Sequence, residues 1–246
     1  MGTEHQYTFP VHFDDVHYVA ALYTANSAKV NDLLKGTGLK AGLYFAGKPL
    51  AALGLIQYRV SDLGAYNEII LAIPVVQQHV NTGWKSWLDL YAPFDKRKGG
   101  QFIIHIPVTT QTSVDAGQSI WGYPKILLPI DHQFDRTGIH TTLSDENQIP
   151  ILQIEGKKGI SIPIPAINLM TFSFLQGQLL KTKVDVTCRM HLKAASGLTI
   201  RVADRNHQIG KDILELGIND KKPLLTIEST QFKAAFNVGV VQATAS

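Results

Sequence analysis

Residues 179–194 read LLKTKVDVTCRMHLKA, in which Lys181, Lys183, Asp185 and Arg189 alternate with Val184, Val186, Met190 and Leu192. A period of two puts successive side chains on opposite faces of an extended chain, so this stretch predicts a long strand with one wet and one dry face. Cys188 falls on the apolar phase, and since free cysteine is among the most buried residue types it is expected in the core. As the one cysteine of the chain, it forms no intramolecular disulfide.

Working outward, the same texture recurs. AALGLIQYRVS (51–61), AYNEIILAIPV (65–75) and QFIIHIPVTT (101–110) are strand-like runs, as are LTIRVAD (198–204) and the stretch from Pro223 to Val241. ILLPIDHQFD and GIHTTLS flank Arg136–Thr137 as the arms of a hairpin; IPILQIEG and GISIPIP flank Lys157–Lys158 in the same way. Helical signals are few. TANSAKVNDLLKG (24–36) has Asn26 or Ser27 as a cap, Val30, Leu33 and Leu34 on one face, and Gly36 as a stop. DILELGI (212–218) is a shorter candidate, and SVDAGQSIW (113–121) a helical turn weakened by Gly117. Many strands and few helices predict a mainly β (β-rich α+β) fold: one closed antiparallel barrel, or a cone-like double sheet, with peripheral helices. No linker divides the chain, so residues 1–246 are expected to form a single domain.

With 45% hydrophobic and 17% charged residues among 246, the chain has material for a sizeable core and is not a disordered polymer. A formal charge of +3 without a concentrated basic face gives no support for nucleic-acid binding. No apolar run reaches the ~20 residues of a membrane span. MGTEHQYTFP has no signal-peptide pattern, and Gln6 stands where myristoylation at Gly2 requires Ser or Thr, so a cytoplasmic setting is the expectation. Other signals have plain readings. GTGLKAG (36–42) is a helix exit and turn rather than a nucleotide loop. His132 and His140 are read as surface residues and DKRKGG (95–100) as a solvated loop tip. Trp84, Trp87, Leu88 and Tyr91 form an apolar stripe suited to packing or a subunit contact. Without His-Glu-x-x-His or Gly-x-Ser-x-Gly, no metal site and no α/β-hydrolase elbow is expected.

One stretch resists such a reading. SIWGYPKILLP (119–129) sets Lys125 inside an apolar run. The amine can snorkel to water, or it can be held where water is scarce. Desolvation disfavours the charged ammonium, and a neutral lysine amine is a nucleophile suited to carbonyl carbon. Pro124 and Gly122 fix the local backbone, so Lys125 is expected to open a strand at a cavity mouth.

The residues AGQSIWGYPK (116–125) resemble the signature of the acetoacetate decarboxylase family, roughly Gly-Arg-Glu-x-x-Gly-Tyr/Phe-Pro-Lys. GAYNEIILAIPV (64–75) resembles that family's upstream Tyr-x-Glu strand. The resemblance implies a carbon–carbon lyase in which Lys125 forms an imine with a β-keto acid, acetoacetate or a larger or less polar analogue. Glu68 is then the acid beside the amine, and Gln118, Ser119 and Tyr123 are expected to meet the substrate. It further implies no metal and no organic cofactor, a small keto acid as partner, and a homo-oligomer. Three positions depart from the family pattern: Gln118-Ser119 replace Arg-Glu, Ile126 replaces a second lysine, and an expected further acid falls near Leu53. Two alternatives stay open: aldolase or dehydratase chemistry on a 2-keto acid through the same imine, and a non-catalytic ligand-binding barrel.

Overall fold

The computed structural model describes residues 7–135, 137–157, 159–194 and 197–242. Gly2 and Gln6 of the amino-terminal reading, and Arg136 and Lys158 of the hairpin tips, lie outside the described residues. In chain order the elements are β1 (Val11–Thr24), α1 (Ser27–Leu33), β2 (Leu39–Ala41), β3 (Tyr44–Phe45), β4 (Lys48–Ser61) and β5 (Tyr66–Gln77). A 3-10 helix (Trp84–Tyr91) follows, then β6 (Gly100–Val108), α2 (Gln111–Trp121), β7 (Lys125–Leu127), β8 (Ile130–Phe134), β9 (Gly138–Ser144) and β10 (Pro150–Lys157). The chain continues through β11 (Ile160–Ile164), β12 (Leu169–Leu175), β13 (Gln178–Val186), β14 (Met190–Ala194), β15 (Leu198–Val202), α3 (Gln208–Glu215), β16 (Leu225–Phe236) and β17 (Val240–Val241).

Strands β16, β1, β4, β5, β6, β12 and β13 pair in that order, and β13 returns to β16, which closes a barrel. Closure removes the open edges that so many strands would otherwise expose. One seam is parallel, β6 against β12. A parallel pair needs a long crossover, and here the chain makes it through α2, β7 and a second sheet before β12 returns. That second sheet, ordered β15-β10-β9-β8, lies outside the barrel with α1 and α3.

The outward side chains of the front strands form the main core. Val19, Ala21, Leu53, Leu55, Ile69, Leu71 and Ile73 pack with Leu143, Ile151 and Ile154 of the outer sheet, with Val30 and Leu34 beside α1, and with Ile209 and Ile213 of α3. Helix α1 starts where Asn26 accepts from the backbone amides of Ala28 (2.9 Å) and Lys29 (3.4 Å). Among the described residues no helix is long and apolar enough to cross a membrane.

Several local expectations change. IPILQIEG and GISIPIP do not form a hairpin: β9 and β15 occupy both edges of β10, and β11 pairs with β14 in the main sheet. The long strand of residues 179–194 runs along β16 but breaks at 187–189. There β16 carries one residue more than its partner between the pairs Val186–Ala234 and His191–Glu228, a bulge that leaves Cys188 half-buried. Arg97 is buried rather than solvated, its guanidinium donating to the backbone oxygens of Asn168 and Leu90. The stripe at residues 84–91 is a 3-10 helix whose Trp84, Leu88 and Tyr91 are exposed.

Candidate active site

Helix α2 ends where Gly122 turns left-handed, at φ +63°. A Cβ there would lie 2.1 Å from the Phe174 backbone oxygen, so both the turn and the close approach to β12 require glycine. Pro124 then leads into β7, which pairs in parallel with β6 and sets Lys125 opposite Ile106. The Lys125 side chain crosses back under α2. A Cβ on Gly117 would sit 2.4 Å from its Cδ, which explains a glycine in mid-helix.

The Lys125 amine ends in a closed polar knot. Nζ donates to Glu68 Oε2 and to Ser113 Oγ, each at 2.7 Å, with both charged side chains nearly excluded from solvent. The Tyr58 hydroxyl donates to the other Glu68 oxygen at 3.0 Å. The Tyr66 ring lies 5.3 Å from the amine and stacks on Tyr58 at 4.3 Å. Burial and then the Glu68 charge hold the Tyr58 and Tyr66 hydroxyls well above the ordinary tyrosine range, so both remain protonated donors. The lysine of the apolar run is thus paired with Glu68 and hydrogen-bonded to Ser113.

Register explains the meeting. Tyr66 and Glu68 are two apart on β5 and share its inner face, and Tyr58 on β4 stands opposite Tyr66. His132 supports Glu68 from behind. Its Nε2 donates to the Glu68 backbone oxygen at 3.3 Å, which leaves Nδ1 to accept from the Thr141 hydroxyl at 2.8 Å. Expected on the surface, His132 is buried because β8 lies against the outside of β5, and burial lowers its pKa to about 4. His140 is exposed.

The knot opens into the interior of the barrel, a cavity of about 190 Å³. Tyr123 lines it, its hydroxyl 2.7 Å from Thr171 Oγ1. Gln118 and Ser119, expected to meet the substrate, are not among the residues that line it. Both lie on the exposed side of α2; Gln118 Nε2 donates to the Lys125 backbone oxygen (2.8 Å) and Ser119 Oγ to that of Asp115 (2.6 Å). Ile126 is exposed and outside the lining, and Leu53 is buried in the outer core. Sequence reasoning missed Ser113, Tyr58 and Tyr66. Tyr66 was legible from its spacing to Glu68, and Ser113 from its position one helical turn before Gly117, whereas Tyr58 needed the cross-strand register. Among the described residues no cluster of His, Cys, Asp and Glu has the arrangement of a metal site.

A basic amine hydrogen-bonded to a carboxylate at a cavity wall can exchange a proton and present a nucleophile to a bound carbonyl. A family model described as acetoacetate decarboxylase (ADC) matches residues 2–179. The chain belongs to the acetoacetate decarboxylase family. It is accordingly an enzyme of the lyase class. Solved structures give the same fold. An acetoacetate decarboxylase from Legionella pneumophila superposes with a TM-score of 0.70 at 17% identity, over 95% of this chain and 87% of that one. A second acetoacetate decarboxylase gives 0.69 at 15%, over 96% and 89%. MppR, an enduracididine biosynthesis enzyme complexed with the condensation product of pyruvate and imidazole 4-carboxaldehyde, gives 0.65 at 13%, over 100% and 94%. No curated protein matches.

Proposed function

We propose that the protein is a Schiff-base lyase that decarboxylates a β-keto acid through Lys125. The observation that carries this reading is the buried Lys125–Glu68 contact of 2.7 Å at the wall of a mostly apolar cavity. Glu68 takes one ammonium proton and leaves a neutral amine. Nζ adds to the keto carbon, and the resulting carbinolamine loses its hydroxyl as water with the proton returned by Glu68, giving the protonated imine. The bond to the carboxylate carbon then breaks, its electron pair flows to the iminium nitrogen, and carbon dioxide leaves an enamine. Protonation at carbon and hydrolysis release the ketone and restore Lys125. An apolar wall favours this step, because neutral carbon dioxide loses less on desolvation than the carboxylate it comes from.

The reading takes residues 1–246 as one domain and a homo-oligomer as the working form. In support of the latter, Trp84, Leu88 and Tyr91 are exposed, with Trp87 Nε1 donating to the Tyr44 backbone oxygen and the exposed Tyr44 and Phe45 nearby.

Incubation with β-keto acids, reduction with borohydride and peptide mass spectrometry tests the imine. An adduct on Lys125 and release of carbon dioxide are expected. Lys125→Ala is expected to lower turnover by at least about 10³-fold and Glu68→Gln by about 10²- to 10⁴-fold. Full turnover in Lys125→Ala would end the proposal. An adduct without carbon dioxide release would move the chemistry to the aldolase or dehydratase branch.

A further inference from the structure

The inward-facing residues beyond Glu68 are all apolar, and on β4 and at Ala20 and Ala72 they are small. Glu68 is in register with Ile56 on β4 and, through it, Tyr18 on β1. Two residues further along, the row reads Ile70, Gly54, Ala20 and Ile227; two further again, Ala72, Ala52, Leu22 and Leu225. All of these line the cavity, and Ala20, Ala52 and Ile70 keep partial exposure although they point into the barrel. Leu43, Leu90 and Gln101 border both this cavity and the adjoining groove at Trp84, so the channel leads from Lys125 towards the 3-10 helix. Among the described residues lining it, Lys125 and Glu68 are the only charged ones.

We infer that the substrate is a β-keto acid with a medium-length, uncharged alkyl chain, carbonyl at Lys125 and chain laid over Gly54, Ala20, Ala52 and Ala72. This rests on the Schiff-base reading and adds the substrate class to it. The carboxylate being lost meets the iminium of Lys125, while a charge further along the chain has no counter-ion. From Glu68 to Ala72 the strand advances roughly 13 Å, the reach of an extended chain of on the order of ten carbons. At Gly54 an added Cβ would make ordinary van der Waals contact with Ile70 (3.5 Å) and Ile56 (3.9 Å), so the bare backbone there leaves room for about one methylene of a chain.

The full chain is assayed for kcat/KM and borohydride trapping with acetoacetate, 3-oxohexanoate, 3-oxooctanoate and 3-oxodecanoate, and with the diacid 3-oxoadipate. The expected gain is about fourfold per added methylene, levelling off once the chain reaches Leu43 and Leu90. At equal carbon number, 3-oxoadipate is expected to fall at least about 100-fold below 3-oxohexanoate. Ala52→Leu is expected to reduce the longest chain trapped, and the wild-type series stands even if that variant folds poorly. Trapping on Lys125 with acetoacetate preferred, or with 3-oxoadipate accepted as well as 3-oxohexanoate, overturns the alkyl-chain inference and leaves the Schiff-base reading intact. No adduct with any member overturns the Schiff-base reading and this inference with it.

Discussion

The two faces of β4 and β5 are both apolar, yet they do opposite things. Outward, Leu53, Leu55, Ile69, Leu71 and Ile73 are large and buried under the outer sheet and helices. Inward, Ala52, Gly54, Ile70 and Ala72 are mostly small and border open space, with Glu68 among them. Small barrels are ordinarily filled by their own side chains. Here the larger core lies outside the barrel, while a second one, with Phe13, Ile103, Trp121, Val184 and Phe232, packs inside around the chamber. Along this part of β4 and β5, bulky packing and open chamber are thereby divided between the two phases of one alternation.

Substitutions can break that division. Away from the reacting groups themselves, the largest effect is expected from Gly117→Ala. The added methyl falls 2.4 Å from Lys125 Cδ, so the flexible lysine moves and the helix does not. A misplacement of about 1 Å can cost ~100-fold in turnover, while melting temperature is expected to hold or rise, alanine being the better helix former. A fall in stability with normal turnover would contradict the packing of Lys125 under α2. On the outer face, Leu55→Ala is expected to destabilise by about 2–5 kcal/mol in chemical denaturation, with little change in trapping per folded molecule.

A comparable loss is expected on acidification. His132, behind Glu68, has a folded pKa of about 4 against an ordinary 6.5. The unfolded chain therefore binds the extra proton between those values. Stability from this group is complete above about pH 6.5 and lost as pH falls to about 4, a total of about 3 kcal/mol. Urea melts from pH 7 to 4 check it, and His132→Gln is expected to flatten that part of the curve. The smallest effect is expected at Ile70→Ala. A partly buried side chain bordering a cavity gives up only part of its transfer energy, about 1 kcal/mol, although substrate preference shifts. An Ile70→Ala loss as large as that of Leu55→Ala would mean that the interior is core and not chamber.

Much of this was legible in the chain itself. Alternation located the strands, and Asn26 and Gly36 bracketed α1, because these signals act within a few residues. Lys125 and Glu68 stood out for related reasons, the first as a charge in an apolar run and the second by its Tyr-x-Glu setting. The misreadings share a cause. His132, Arg97 and the β10–β11 hairpin each depended on what lies against a residue from distant sequence, and local pattern carries no term for that.

The sequence alone determined that strands dominate, that the backbone turns at Gly122, and that a lysine is set into an apolar strand. Those are consequences of periodicity and of allowed backbone angles. Only the tertiary structure decided which face of each strand packs under the outer sheet and which borders the cavity, since both read as apolar. It alone also brought Ser113, Tyr58 and Glu68 to the Lys125 amine, through a strand register and a helix crossing that no local stretch encodes.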